Sequence, residues 1–215
     1  MPWSSNATFL VEVAHAGTTA LAVYKPARGE RPLWDFPPRL FARELAAYLL
    51  SEALGWGLIP PTVVREAGPY GEGALQLFVH ADFEQHYFTL REDPAHHERL
   101  RRICLFDLVA NNADRKSGHC LAGPDGVIWA IDNGLCFHPE PKLRTVIWDF
   151  GGAPIPGGLL DDLRRLVKAG WLPAPLAALL RPDEREALAA RARALVEHGR
   201  FPVNEGGRGY PWPLV

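Results

Sequence analysis

The sequence predicts an α+β chain of two lobes, a small β-rich N-terminal lobe with one helix followed by a mostly helical lobe. Up to about residue 80, strand-like alternation recurs and is interrupted once by helical spacing; beyond it apolar residues recur mainly three and four apart. The polar residues, in contrast, crowd into one stretch, 111–119, and its sequel at 131–134. With 215 residues, at roughly 100–200 per domain, the lobes form one compact unit, divided as 1–80 and 81–215 and joined near 78–83.

Residues 8–24, TFLVEVAHAGTTALAVY, read as a hairpin turning at His15-Ala16-Gly17, with Lys25 closing the return strand just before Pro26. The four prolines of 26–38 mark a loop with an apolar plug at Leu33, Trp34 and Phe36. A helix follows over about 39–54, where Leu40, Phe41, Leu45, Tyr48, Leu49 and Ala53 share spacings of three and four and Gly55 supplies a stop. Glu44 lies early in it. Strands are expected at 62–65 and 74–79 around a Gly-rich turn. In the second lobe, a helix at 97–110 carries Leu100, Ile103, Cys104, Asp107 and Leu108 on one stripe and ends at Asn111-Asn112. A hairpin at 119–131 turns on Gly123-Pro124-Asp125-Gly126. Further helices are expected at 158–169, 174–180 and 183–198, then an irregular Gly- and Pro-rich strap.

With 25 acidic against 23 basic residues, the net charge of -2 excludes a generic electrostatic grip on nucleic acid or an anionic bilayer. No apolar run reaches the ~18–20 residues of a membrane span. The opening MPWSSNATFL has neither the basic start nor the apolar stretch of a secretory signal. These features lead to the expectation of a soluble, cytoplasmic protein. Cys104, Cys120 and Cys136 make an odd count without a CxxC pair, which fits buried apolar thiols rather than disulfides or a thiolate zinc site.

The chemistry concentrates in Asn111-Asn112-Ala113-Asp114-Arg115-Lys116-Ser117-Gly118-His119 and in Ile131-Asp132-Asn133-Gly134. If Gly123 pairs with Gly126, His119 faces Ala130 and Ser117 approaches Asp132. Strands ~4.8 Å apart then bring His119 and Asp132 to one open end, within reach of Asp114. Two potential metal ligands and a free carboxylate in one place suit phosphoryl transfer, in which one acid positions a hydroxyl and others hold a metal against phosphates.

Five pieces in order, Tyr24-Lys25-Pro26, Arg43-Glu44, Gln76-Leu77-Phe78-Val79, Asp114-Arg115 and Ala130-Ile131-Asp132-Asn133-Gly134-Leu135, resemble the phosphatidylinositol 3-/4-kinase-like family. The type II phosphatidylinositol 4-kinases and their small bacterial relatives are the nearest group, and the likeness covers roughly residues 5–140. It implies a protein-kinase-like fold and an ATP-dependent kinase that uses Mg2+ or Mn2+. Lys25 resembles the lysine that pairs with the ATP phosphates, and Glu44 the helix glutamate that orients it. Ser4, Ser5, Asn6 and Thr8 stand where a phosphate-covering loop would be. Gln76, Phe78 and Val79 belong to the stretch resembling the linker that receives adenine. Asp114 resembles the aspartate that takes the acceptor's proton, Arg115 the residue that steadies its loop, and Asp132 the metal-chelating aspartate.

In one departure, His119 occupies the position of the family's second metal ligand, an asparagine; imidazole favours manganese over magnesium. The acceptor implied is a small molecule, a lipid head group or a protein hydroxyl, with no nucleic acid partner. Only 83 residues follow Asp132 (215 minus 132), without a basic apolar segment to dock on a bilayer, and Trp148, Trp171 and Trp212 read as core. Position alone offers Arg144, Trp148 and Asp149 as an acceptor pocket. Two other readings share the fold: a nucleotide-binding pseudokinase or scaffold, and transfer of the nucleotidyl rather than the phosphoryl group.

Overall fold

A computed structural model describes residues 6–168, 172–206 and 209–215. The hairpin forms as β1 (Phe9–His15) and β2 (Thr18–Pro26), with Ala16 and Gly17 both at positive φ as a tight two-residue turn requires. Helix α1 (Leu40–Ala53) leads on to β3 (Thr62–Gly68) and β4 (Gly71–Leu77). The four strands make one antiparallel sheet in the order β1-β2-β4-β3. Helix α1 packs on the β3–β4 half and leaves the β1–β2 half to roof a cleft.

Its first turn is capped at a distance. Arg39 has φ 71 and offers no side-chain cap, and the Glu30 carboxylate accepts the amides of Arg39 at 2.9 Å and Phe41 at 2.8 Å. An acid there also suits the positive end of the helix. The 26–38 loop is thereby pinned to α1. Its plug is Phe36 alone, since Leu33 is exposed and Trp34 is 92% exposed, stacked under the Lys142 ammonium.

The second lobe runs through α2 (Tyr87–Leu90), α3 (His97–Ala110), the hairpin β5 (Cys120–Ala122) and β6 (Ile128–Ala130), and α4 (Gly157–Val167), α5 (Ala174–Leu179) and α6 (Pro182–His198). The tail after Phe201 is irregular where described, and its Trp212 is 89% exposed rather than core; Trp171 lies outside the described residues. All three cysteines are free and buried. Among the described residues no helix is long and apolar enough to cross a membrane.

The lobes share one apolar core, in which Ala46, Ala47 and Leu50 of α1 and Leu54 just after it join Leu100, Ile103 and Phe106 of α3. Polar stitches reinforce it. Arg99 of α3 donates to the carbonyls of Trp56, Gly57 and Ile128. Arg43 of α1 donates to the Cys136 carbonyl and pairs with Glu184 at the start of α6, with both side chains buried.

The β5–β6 register differs from expectation by one residue. Gly126 donates to the Gly123 carbonyl at 3.0 Å, but Gly123 donates to Val127 at 2.9 Å, and Gly126 has φ 75. A tight turn closed by a left-handed glycine inserts one extra residue. Cys120 therefore faces Ala130, and the His119 carbonyl accepts the Ile131 amide at 3.0 Å.

What fixes the two polar loops is a buried charge pair. Asp107, the carboxylate on the apolar stripe of α3, accepts Nε and Nη2 of Arg115 at 2.9–3.1 Å and the Asn112 amide at 3.0 Å. Arg115 also donates to the Ile131 carbonyl and, at 2.7 Å, to Asn133 Oδ1. Both side chains have 0% exposure. Removing one partner leaves an uncompensated buried charge, costing about 3–5 kcal/mol. Asp107→Ala should therefore lower unfolding stability by about that much in urea, while Asp161→Ala, which breaks an exposed helix pair with Arg164, should cost under about 1 kcal/mol. Equal losses for the two variants would show that the pair does not hold the loops.

Candidate active site

Lys25 lies at the end of β2 in register with Ala74 of β4, facing α1. Its ammonium donates to Glu44 Oε1 and, at 3.0 Å, to Asp132 Oδ1. The other Glu44 oxygen accepts the Asn133 amide at 3.0 Å, so the helix glutamate grips both the strand lysine and the loop bearing Asp132. Burial works against the charge on Lys25, but Asp132 and Glu44 outweigh it, and the ammonium titrates above the ordinary lysine range. Lys25 in turn holds the Asp132 carboxyl well below the usual carboxylate range. Asp132 sits at φ 58, a left-handed conformation that aspartate tolerates. Its side chain is 51% exposed and faces the cleft.

Asp114 leaves the end of α3 by a turn in which Asn112 Oδ1 accepts its amide at 2.9 Å. Its carboxylate pairs with Lys116. Burial raises its pKa above the usual range, with Lys116 pulling the other way. Arg115 next door spends its guanidinium on Asp107, the Ile131 carbonyl and Asn133. It steadies the loop and does not reach the cleft.

His119 stands with Nε2 3.4 Å from Asp132 Oδ2, and its Nδ1 accepts the Lys116 amide at 3.3 Å. Burial pushes its pKa down to about 4, so the ring is neutral near pH 7. With Nδ1 accepting, the hydrogen-bond pattern assigns the ring proton to Nε2, the nitrogen nearer Asp132. Among the described residues no group of three or more His, Cys, Asp or Glu side chains is assembled to hold a metal alone. Asp132 and Asp114 instead suit a hard ion held by one or two carboxylates, with phosphate oxygens completing its shell.

A cavity of about 310 Å3 opens beside this cluster. Lys25, Glu44, Asp114 and Asp132 line it, together with Asn6, Ala7, Thr8, Arg31, Leu33, Leu40 and Leu135. Of the sequence-derived candidates Asn6 is here, its Oδ1 holding the Arg31 amide at 2.9 Å; Ser5 lies outside the described residues. Gln76, Phe78 and Val79 do not line the cavity. The buried Gln76 side chain donates to Thr62 at 3.0 Å, and Phe78 donates its amide to the Leu21 carbonyl at 3.0 Å. Arg144, Trp148 and Asp149 are also absent from the lining. Asp149 takes the Tyr87 hydroxyl and Arg91, and Trp148 donates to the Gly209 carbonyl at 3.1 Å.

Motif reading passed over several residues. Val23 shares the sheet face of Lys25, and its partner Leu10, 52% exposed, continues that face. Period-two alternation counted back from Lys25 would have found both. Asp107 was visible as a carboxylate on an apolar stripe. Arg31 gave no local signal.

A sheet of four strands with one helix, a strand lysine paired to a helix glutamate, and a helical lobe carrying two acidic loops define a kinase-like fold. Solved structures agree. A hydra Fam20 structure with sugar aligns at TM-score 0.56 and 15% identity, covering 91% of this chain and 82% of that one. The Golgi casein kinase with Mn/ADP bound aligns at 0.52 and 15%, covering 98% and 77%. The Helicobacter pylori proinflammatory kinase CtkA aligns at 0.51 and 12%, covering 92% and 89%. No family model matches the chain. The chain belongs to the same family as Protein Rv2133c of Mycobacterium tuberculosis, to which it is 40% identical over 98% of its own length and 88% of that protein's. Phosphatidylinositol 4-kinase gamma 4 of Oryza sativa subsp. japonica is 28% identical over 124 residues, 49% of this chain and 22% of that one.

The Lys25–Glu44 pair joins a partly exposed ammonium to a buried carboxylate. Exposed pairs couple by about 0.2–1 kcal/mol, whereas residues in one hydrogen-bonded network reach about 3 kcal/mol. A double-mutant cycle of Lys25→Met and Glu44→Gln, read by chemical denaturation without nucleotide, should give a coupling above about 1 kcal/mol. A value near zero would show that the pair is not preassembled.

Proposed function

We propose that this chain is an ATP-dependent phosphotransferase that moves the γ-phosphate to a hydroxyl acceptor with Mg2+ or Mn2+. The observation that carries the reading is Lys25 bridging Glu44 and Asp132 on the wall of a cavity that Asp114 also lines. Lys25 meets the triphosphate with a charge that Glu44 keeps in place. Val23 and Leu10 roof the base. Asp132, with Asp114 close by, is the carboxylate that would hold the metal, which would supply neutralisation of phosphate charge. Asp114 accepts the proton of the acceptor hydroxyl as its oxygen bonds to the γ-phosphorus and the bond to the β,γ-bridging oxygen breaks, releasing ADP. Its raised pKa makes it a better proton acceptor than an ordinary carboxylate. His119, a neutral ring with Nε2 3.4 Å from Asp132, stands beside the metal-holding aspartate. The manganese and ADP of the Golgi casein kinase structure support the choice of cofactors. The motif order and the partial likeness to a phosphatidylinositol 4-kinase support the phosphoinositide branch of the fold.

One observation favours a second reading, a nucleotide-binding scaffold without transfer: His119 presents a donor where the family has a second metal ligand.

Thermal unfolding with ATP separates these readings. A ligand at a hundred times its Kd stabilises by about 2.7 kcal/mol, a clear rise in Tm. The rise should require Mg2+ or Mn2+, and Asp132→Asn should abolish the metal-dependent part. Asp114→Asn should keep the rise and slow ADP release by about 10²–10⁴-fold. Full turnover in Asp114→Asn would overturn its role. Binding without turnover in either metal would establish the scaffold, and label transferred from the α-phosphate would establish nucleotidyl transfer.

A further inference from the structure

The sheet that carries Lys25 has a second face, turned away from the cleft. Across an antiparallel sheet, directly paired residues project to the same side. Lys25 with Ala74, and Gln76 with Thr62, lie on the side of the cleft and α1, where Ala74, Gln76 and Thr62 are buried. The alternate residues project the other way. Phe9, Tyr24, Leu75 and Val63 form one row across all four strands, and Val11, Ala22 and Leu77 form the next. Val13 and Ala20 continue it on β1 and β2. These rows hold no charged side chain, and their one polar atom, the Tyr24 hydroxyl, donates to the Gly71 carbonyl at 2.6 Å. Val63 is 58% exposed and Leu77 42%, so no described residue covers the β3 side of the face. Polar residues stand only at its ends, Arg65 beyond Val63 on β3 and His15 paired with Thr18 at the hairpin turn. An apolar centre with a polar rim is the anatomy of a protein interface.

Size and chemistry select the occupant. Four strands ~4.8 Å apart and about seven residues at ~3.4 Å each give a face ~19 Å wide and ~24 Å long, about 450 Å2. A docked helix, about 10 Å across, covers half that width. The face also lacks the row of basic residues with which apolar surface segments hold an anionic bilayer. A second sheet stacked about 10 Å away covers the whole of it. This chain supplies such a sheet, of the same size and equally uncharged. Its relief suits a two-fold axis, because a hollow of about 250 Å3 lined by Val11, Val13, Leu75 and Pro69 lies next to the row that ends in the projecting Val63. In a contact of that symmetry, what projects from each copy meets the hollow of the other.

We propose that two copies of this chain associate through these faces, sheet on sheet about a two-fold axis. The cleft is on the opposite side of each sheet and stays open. Two such faces bury about 900 Å2, less than the ~1,200 Å2 at which stable complexes begin, so the dimer is reversible, with a Kd on the order of 10–100 μM.

Sedimentation velocity of the full chain between about 1 and about 500 μM, a range that brackets that Kd, tests the proposal. The average mass should rise from one chain toward two. Val63→Glu and Leu77→Glu, each placing an unpaired charge in the contact, should weaken association at least about 10-fold. Val203→Glu, at an exposed apolar position of the second lobe, should leave it unchanged. Because Val63 and Leu77 are exposed, both variants should unfold like the wild type when dilute, which separates lost association from lost folding; if one does not fold, the other carries the test. A wild-type chain that stays monomeric throughout overturns the proposal. So does a dimer that neither variant weakens, or that Val203→Glu weakens equally. Co-sedimentation of a monomeric wild type with phosphatidylcholine vesicles, abolished by Val63→Glu, overturns it as well by assigning the face to lipid.

Discussion

Everything in the cleft hangs on the pair between Arg115 and Asp107. A guanidinium withdrawn from water is tolerable only when its donors are used, and here Asp107, Ile131 and Asn133 use them. Because one side chain bonds to both acidic loops, the position of Asp114 relative to Asp132 follows from the position of Arg115. Two carboxylates on one cavity wall repel each other, and loops free to relax would part. The buried pair withstands that repulsion, and its low-dielectric surroundings make each of its hydrogen bonds stronger than it would be in water.

The electrostatics of the cleft follow from where burial is permitted. Lys25 keeps its proton despite burial because two carboxylates converge on it, and Asp132 keeps its charge because Lys25 is there. His119 has too little compensation and stays neutral. Asp114 lies between these cases: burial raises it, and Lys116 keeps it from rising further. Within one small volume, Lys25 and Asp114 are thus shifted upward and Asp132 and His119 downward.

The two-lobe plan was legible from the sequence because it depends on local periodicity. The β1–β2 turn, α1 and the C-terminal helices fall within a few residues of their expected places. The side chains that meet at the cavity stood out because lysine at a strand end and acids in small-residue loops have few structural reasons to be there. What was not legible depended on geometry between distant segments. The β5–β6 register turned on one left-handed glycine that adds a residue to the turn. The fate of Gln76 was decided by Thr62, fourteen residues away, which claims its amide. Trp34 and Trp212 stand in solvent although composition alone places tryptophan inside. The chain before β1 is stitched to the loop that carries Arg31, a contact no spacing rule encodes.

The clasp between Arg43 and Glu184 has a consequence for control. Arg43 is the neighbour of Glu44 on α1, and it is locked to a carbonyl of the Asp132 loop and to the first turn of α6. A helix fastened in this way cannot swing outward without stranding two buried charges. The lysine–glutamate pair is therefore standing before any ligand arrives, and no fraction of the population must be recruited from a disassembled state. Switching this protein on or off would have to act elsewhere, through access to the cleft or supply of what enters it.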